Sequence, residues 1–285
     1  MSRSTVFAPI VACLLKAEEN IGLNRVWHGV NTLQDLFVGD YFDMCKAGII
    51  GLEDAIQSIF SFSADEINRF LAEKGFSIQL DPLEDNEFGV ASVLDILLSW
   101  QSPGKKCLIQ SSGQSFDGVE LKGGVDFCSS RNFPTVVKIR TQSKDCLYLA
   151  IPDCEPDGDV EMMSYAKELM TTRFFGSAYD GVRFPMVNYD QVVDISWLLG
   201  LRTNASNGDE VYISQAHQQS KLRINEFGAR AESAVALGVT RGICMNSFYT
   251  IDKPFMAVIV RDGVPCPVFV AYVTPEDWKN PGSLT

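Results

Sequence analysis

Apolar residues recur at helical spacing near the start of the chain. Across residues 9–22, Ile10, Cys13, Leu14 and Ile21 fall on one side, which predicts an amphipathic helix. A second helix is predicted at SADEINRFLAEKG (63–75), where Ile67, Phe70 and Leu71 form the stripe. Ser63 with Glu66 three residues later has the form of a capping box, and Gly75 stands where the helix should stop. Two apolar runs, Val90–Trp100 and Cys146–Ile151, have strand length, and Gln191–Gly200 reads as a short helix ended by its glycine. Farther on, PFMAVIVRDGVPCPVFVAYV (254–273) predicts two strands around a turn at Asp262-Gly263. These two strands alternate little, so both of their faces are expected to be covered. No repeat, low-complexity linker or compositional break divides the chain, and the expectation is one mixed α and β domain over 1–285.

The composition changes this picture mainly by exclusion. With 46% hydrophobic and 21% charged residues the chain is globular in type. A net charge of −12 argues against nucleic acid, heparin-like polyanions and anionic membranes as partners. No apolar run approaches the roughly 20 residues that a membrane span requires. The start of the chain lacks a small-residue cleavage site, so a cytoplasmic location is expected. Eight cysteines with no C-x-x-C pair suggest free thiols in a reducing compartment rather than a disulfide framework. The sequon at Asn204-Ala205-Ser206 is read as chance in that compartment.

Motifs of catalysis are missing as well. There is no Walker loop, no G-x-G-x-x-G after a strand, no H-E-x-x-H and no EF-hand. Asp153–Asp159 is acidic, but its proline and spacing favour a solvated loop over a calcium site. Two histidines, His28 and His217, and eight cysteines leave a Cys–His hydrolase formally open, though nothing local supports one. The expectation is a protein that is not an enzyme, with no cofactor and no metal.

Residues 224–242, INEFGARAESAVALGVTRG, have a different character. They are rich in Ala, Val and Gly, yet Gly228 and Gly238 interrupt any helix and no apolar stripe fits. Ile224-Asn225-Glu226-Phe227-Gly228 followed by an Ala-rich run to Ala236 resembles the hinge of a serpin's reactive loop. Ile251-Asp252-Lys253-Pro254-Phe255 resembles the strand after that loop, and Val268–Pro275 the final strand. Other matches fall in order: Val6–Ile10 with the start of helix B, Leu23–Trp27 with the second strand of the main sheet, Glu66–Phe70 with helix F, and Val182–Gly200 with the segment beyond. Nothing matches helix A, and about a dozen residues between the helix B and second-strand matches leave no room for helices C and D. Compact members of this kind are similar to the intracellular serpins of poxviruses.

The resemblance implies an α+β fold with a large mixed β-sheet, smaller sheets, surrounding helices and an exposed loop at about 228–250. It implies inhibition of a target protease, a serine or a cysteine protease, by loop cleavage, acyl-enzyme trapping and insertion of the cut loop into the main sheet. The hinge would be Glu226, Gly228, Ala229, Arg230, Ala231, Glu232, Ser233, Ala234 and Val235. Taking Ala229 as the first inward residue, Ala231, Ser233, Val235, Leu237 and Val239 also point in, while Arg230 and Glu232 point out. Insertion therefore buries no charge. The family's common spacing puts the cut after Gly242, before Ile243; a loop shorter by one residue puts it after Arg241, which suits a trypsin-like enzyme. Trp100 matches the breach tryptophan and His217 the shutter histidine, whereas Ala8 and Ser92 stand where the family has Ser and Asn. These departures, with Phe227 and Arg230 at usually acidic positions, keep a non-inhibitory binding protein as the alternative.

Overall fold

A computed structural model of the chain describes residues 1–22, 26–85, 87–172, 179–229 and 247–284. The chain begins with β1 (Arg3–Thr5) and α1 (Phe7–Ile21). A continuous helical stretch follows: α2 (Thr32–Leu36), a π-helical turn (Phe37–Phe42), α3 (Asp43–Ile49) and a short 3-10 turn (Ile50–Leu52). Next come β2 (Ile56–Ser61), α4 (Ala64–Glu73), β3 (Gly89–Leu94), β4 (Leu98–Ser99), β5 (Lys105–Ser111), β6 (Gln114–Leu121), β7 (Val125–Cys128), β8 (Val136–Arg140) and β9 (Asp145–Ala150). Then follow α5 (Gly158–Thr171), β10 (Gly181–Pro185), β11 (Val187–Val193), β12 (Arg202–Asn204), β13 (Glu210–Tyr212), β14 (Gln218–Ile224), β15 (Gly228–Ala229), β16 (Phe248–Thr250), β17 (Phe255–Arg261) and β18 (Phe269–Val273).

The centre is a six-stranded sheet in the order β1-β18-β17-β9-β8-β7. Its β17 and β18 are the two apolar strands expected from the sequence, paired antiparallel from Phe255↔Val273 to Ile259↔Phe269. Every residue of β18 is buried, which explains the absence of alternation. Helix α1 packs against this sheet's core with Phe7, Ala8, Ile10, Val11 and Leu14. It also packs against the β2–β3 ribbon. On the ribbon's other face, Ile67 and Leu71 of α4 meet Ala91 and Val93 of β3.

Four local expectations change. Ser63 makes no capping bond: Ser61, at the end of β2, accepts from the Ser63 N–H and donates to Glu66, so that carboxylate is committed to the strand. The C-terminal end of α4 is as expected, with Phe76 N–H on the Leu71 carbonyl, Gly75 N–H on that of Ala72, and Gly75 at φ +80°. The run Val90–Trp100 is broken, because Asp95 leaves the sheet and gives its N–H to the Ala55 carbonyl at 2.8 Å. Most of Gln191–Gly200 is not helical: Gln191–Val193 are paired with β14, leaving only a 3-10 turn at Ser196–Leu198. Lastly, Val26 and Trp27 belong to no strand; the buried Trp27 gives its indole N–H to Glu18 at 3.0 Å, and the strand beside β3 is β2.

Candidate functional site

Two strand ribbons face each other without joining. β3 is paired with β2 on one side, and β14 with β11 on one side; among the described residues neither has a partner on its other edge. Between those edges lies a cleft of about 530 Å³, with Val93 and Leu94 on one wall and Gln218, Ser220 and Leu222 on the other. The alternation along β14 makes that wall: Gln218, Ser220, Leu222 and Ile224 are buried, and the residues between them are less so. Ile259 and Phe269 of the central sheet, with Val6 and Pro9, also line the cleft.

Side chains rather than ladder bonds span this cleft. At its floor the buried Gln218 donates from Nε2 to the Val6 carbonyl at 2.8 Å, tying β14 to the start of α1. The connector between α4 and β3 reaches over to β14 and the loop before it. Gln219 Oε1 accepts from Ser77 N–H at 2.7 Å and Gln215 Oε1 from Asp81 N–H at 2.8 Å. Lys221 Nζ donates to the Gly75 carbonyl at 2.8 Å, and Ser214 Oγ to Glu87 at 3.3 Å.

Above the cleft the chain reverses. Asn225 and Gly228 form an antiparallel bridge around a two-residue turn, Glu226-Phe227, and Phe227 N–H donates to Asn225 Oδ1 at 2.9 Å. Beyond the turn, β15 pairs antiparallel with β4, Gly228↔Ser99 and Ala229↔Leu98. Trp100, fully enclosed, fixes the turn from the β4 side: its indole N–H meets the Asn225 carbonyl at 3.1 Å and its backbone N–H that of Phe227 at 3.3 Å. Gly104 N–H adds a bond to the Glu226 carbonyl at 3.0 Å, and Lys106 Nζ lies 3.1 Å from the Glu226 carboxylate. Gly228 has φ +151°, and a Cβ there would stand 2.0 Å from the Leu98 carbonyl oxygen. Only glycine fits so close a backbone approach.

The residues singled out in the sequence divide into three groups. Glu226, Gly228, Ala229 and Trp100 come together at this turn. Arg230, Ala231, Glu232, Ser233, Ala234, Val235, Arg241, Gly242 and Ile243 lie outside the described residues. The shutter candidates do not form one cluster. Ala8 is buried in α1 without a polar side chain, and Ser92 Oγ bonds Ser58 Oγ at 2.7 Å on the ribbon. His217, matched to the shutter histidine, is exposed: it directly precedes β14, whose register turns Gln218 inward instead. Gln218 and Gln219 are the polar residues of the site that no sequence motif marked. The alternation QQSKLRI was the available signal.

The arrangement has the form of a strand-addition site. Two open edges offer N–H and C=O groups, and the walls accept small or apolar side chains. Cys13, which bonds the edge strand β3, is not an activated nucleophile: burial pushes its thiol up to about 11, so it stays protonated and donates to the Val90 carbonyl. Among the described residues no group of His, Cys, Asp and Glu is arranged to hold a metal ion, and no helix is long and apolar enough to cross a membrane.

Comparison with solved structures defines the fold as that of the serpins. A serpin from Schistosoma mansoni aligns with TM-score 0.61 at 12% identity, over 95% of each chain. Serpin48 of the insect Tenebrio molitor, described as highly specific, aligns with TM-score 0.57 at 14% identity, over 96% of this chain and 91% of its own. Human thyroxine-binding globulin, solved with thyroxine, aligns with TM-score 0.59 at 11% identity, over 95% and 91%. No family model matches the sequence, and no curated protein sequence does.

Proposed function

We infer that the chain is a compact, cytoplasmic, single-domain protease inhibitor of the serpin type, similar to those of poxviruses. The observation that supports this most directly is the hinge: Gly228 and Ala229 are already paired on β4, and the open slot begins where that pairing stops. Continued in the same antiparallel direction, residues 230–240 would run between β3 and β14. Their alternation would send Arg230 and Glu232 outward and Ala231, Ser233 and Val235 into the slot. The target is a protease with a trypsin-like specificity pocket. Its nucleophile attacks the Arg241 carbonyl carbon, the bond to the Gly242 nitrogen breaks, and that nitrogen takes a proton and leaves as an amine. The ester that remains is trapped as the freed strand enters the sheet.

Incubation with trypsin-like serine proteases tests this reading. A covalent complex that survives denaturation is expected, and Arg241→Ala should abolish it; cleavage without a complex would overturn inhibition. That second outcome fits a non-inhibitory binding protein. The dispersed shutter residues favour that alternative: Ala8, Ser92 and the exposed His217 provide no shared hydrogen-bond network.

A further inference from the structure

The inner side of the slot carries a segment that neither wall provides. After β18 the chain makes a short 3-10 turn, and Trp278 is buried against Phe116 and Phe255, with ring centroids 5.1 and 6.2 Å away. It then returns toward the hinge. Asn280 Oδ1 accepts from Gly282 N–H at 2.9 Å, and the Gly282 carbonyl accepts from Asn225 Nδ2 at 3.0 Å. Two residues later Leu284, 5% exposed, lines the slot together with Leu94 and Leu222. Of residues 279–284, Leu284 is the one that lines the slot.

The anchor of this segment is also an anchor of the hinge. One end of the Asn225 amide accepts from Phe227 N–H in the turn, and the other donates to Gly282. The Asn225 carbonyl receives the Trp100 indole. A strand extending β15 toward β3 would have to enter the space that Leu284 lines, and its arrival would disturb the side chain that ties Gly282 to the turn.

We propose that Lys279–Leu284 is a strap that closes the slot: Leu284 competes with an incoming strand, and Asn225 couples the strap to the hinge. This rests on reading the slot as the acceptor of residues 230–240. The strap sets how readily that strand enters, whether the strand comes from the chain's own cut loop or is supplied from outside.

The test uses the full chain and a fluorescent synthetic peptide of residues 229–240. Leu284→Asp should release the strap because it sets a carboxylate beside Leu94 and Leu222, and Leu284→Ala should loosen it. Peptide uptake is expected to rise by about tenfold in L284D, the scale set by burial of one leucine, and by less in L284A. Cooperative urea unfolding checks that each variant is folded; if L284D is not, L284A decides alone. Uptake within twofold of the parent in the folded variants overturns the strap, as does failure of every variant to take up peptide. A parallel incubation with trypsin separates the two readings. Faster peptide uptake with no covalent complex would remove inhibition and keep the strap. A covalent complex formed at unchanged rates, with unchanged peptide uptake, would do the reverse.

Discussion

The central six-stranded sheet and the split pair of ribbons above it solve the same problem in opposite ways. In the central sheet each of β17 and β18 has a strand on both sides, and nearly every side chain is buried. Around the slot, β3 and β14 alternate between buried and less buried positions, and Gln218, Gln219 and Lys221 tie β14 to the start of α1 and to the connector before β3. A strand laddered on both sides offers no free edge, whereas a set of side-chain ties can be undone one at a time. The first region is a finished core, and the second leaves the facing edges of β3 and β14 without a strand partner among the described residues. The central sheet also lines the open slot through Ile259 and Phe269, so the comparison needs variants placed away from that shared wall.

The largest expected effect lies at the rim of the closed sheet. Arg261 at the end of β17 grips the buried Asp145 of β9 through two bonds, 2.7 and 3.1 Å, and also reaches the Gly51 carbonyl and Asp54. Arg261→Met strands a carboxylate that is 2% exposed, which should cost about 3–5 kcal/mol in urea unfolding. Adding Asp145→Leu should restore most of it. If the single variant loses under about 1 kcal/mol, the closed sheet is not the rigid half of the comparison.

A smaller and local effect is expected at the hinge. Gly228→Ala places a methyl group into the Leu98 carbonyl and demands a backbone conformation that alanine avoids. The strain, about 1–3 kcal/mol, is relieved by unpairing β15 from β4 rather than by unfolding. Amide hydrogen exchange should then lose protection at residues 228–229 and keep it in β17 and β18. Equal loss in both regions would mean that the hinge is part of the core.

How much of this was legible follows from the same contrast. β17 and β18 were readable because their surroundings are uniform, so composition alone marks them as covered on both faces. The helical stretch at 32–52 was missed, although Asn31 capping the Gln34 N–H was a usable sign. Glycines at 39 and 48 and a π-helical turn blur its apolar spacing. At the site, Gly228, Glu226 and Trp100 were found through a resemblance, and the pairing of β15 with β4 accounts for them physically. The slot itself could not be read: it is a space between strands more than a hundred residues apart in the chain, and no local pattern encodes a missing neighbour. His217 failed for a related reason, since a histidine signals its chemistry but not which side of a strand's first residue it falls on.

The smallest effect separates the two regions most finely. Gln219 is a single tie: its Oε1 takes the Ser77 N–H and Oγ at 2.7 and 3.1 Å, and its Nε2 meets Asp190 at 2.6 Å. All three bonds are exposed, so Gln219→Ala should lower global stability by no more than about 1 kcal/mol. The connector over the slot depends on few such ties, and losing one should raise local opening well before unfolding. Limited proteolysis should therefore nick residues 76–87 faster in the variant, while urea midpoints stay almost unchanged. A connector held by packing would be cut at the parent's rate. One that shares the central sheet's cooperativity would become easier to cut only as the whole protein lost stability.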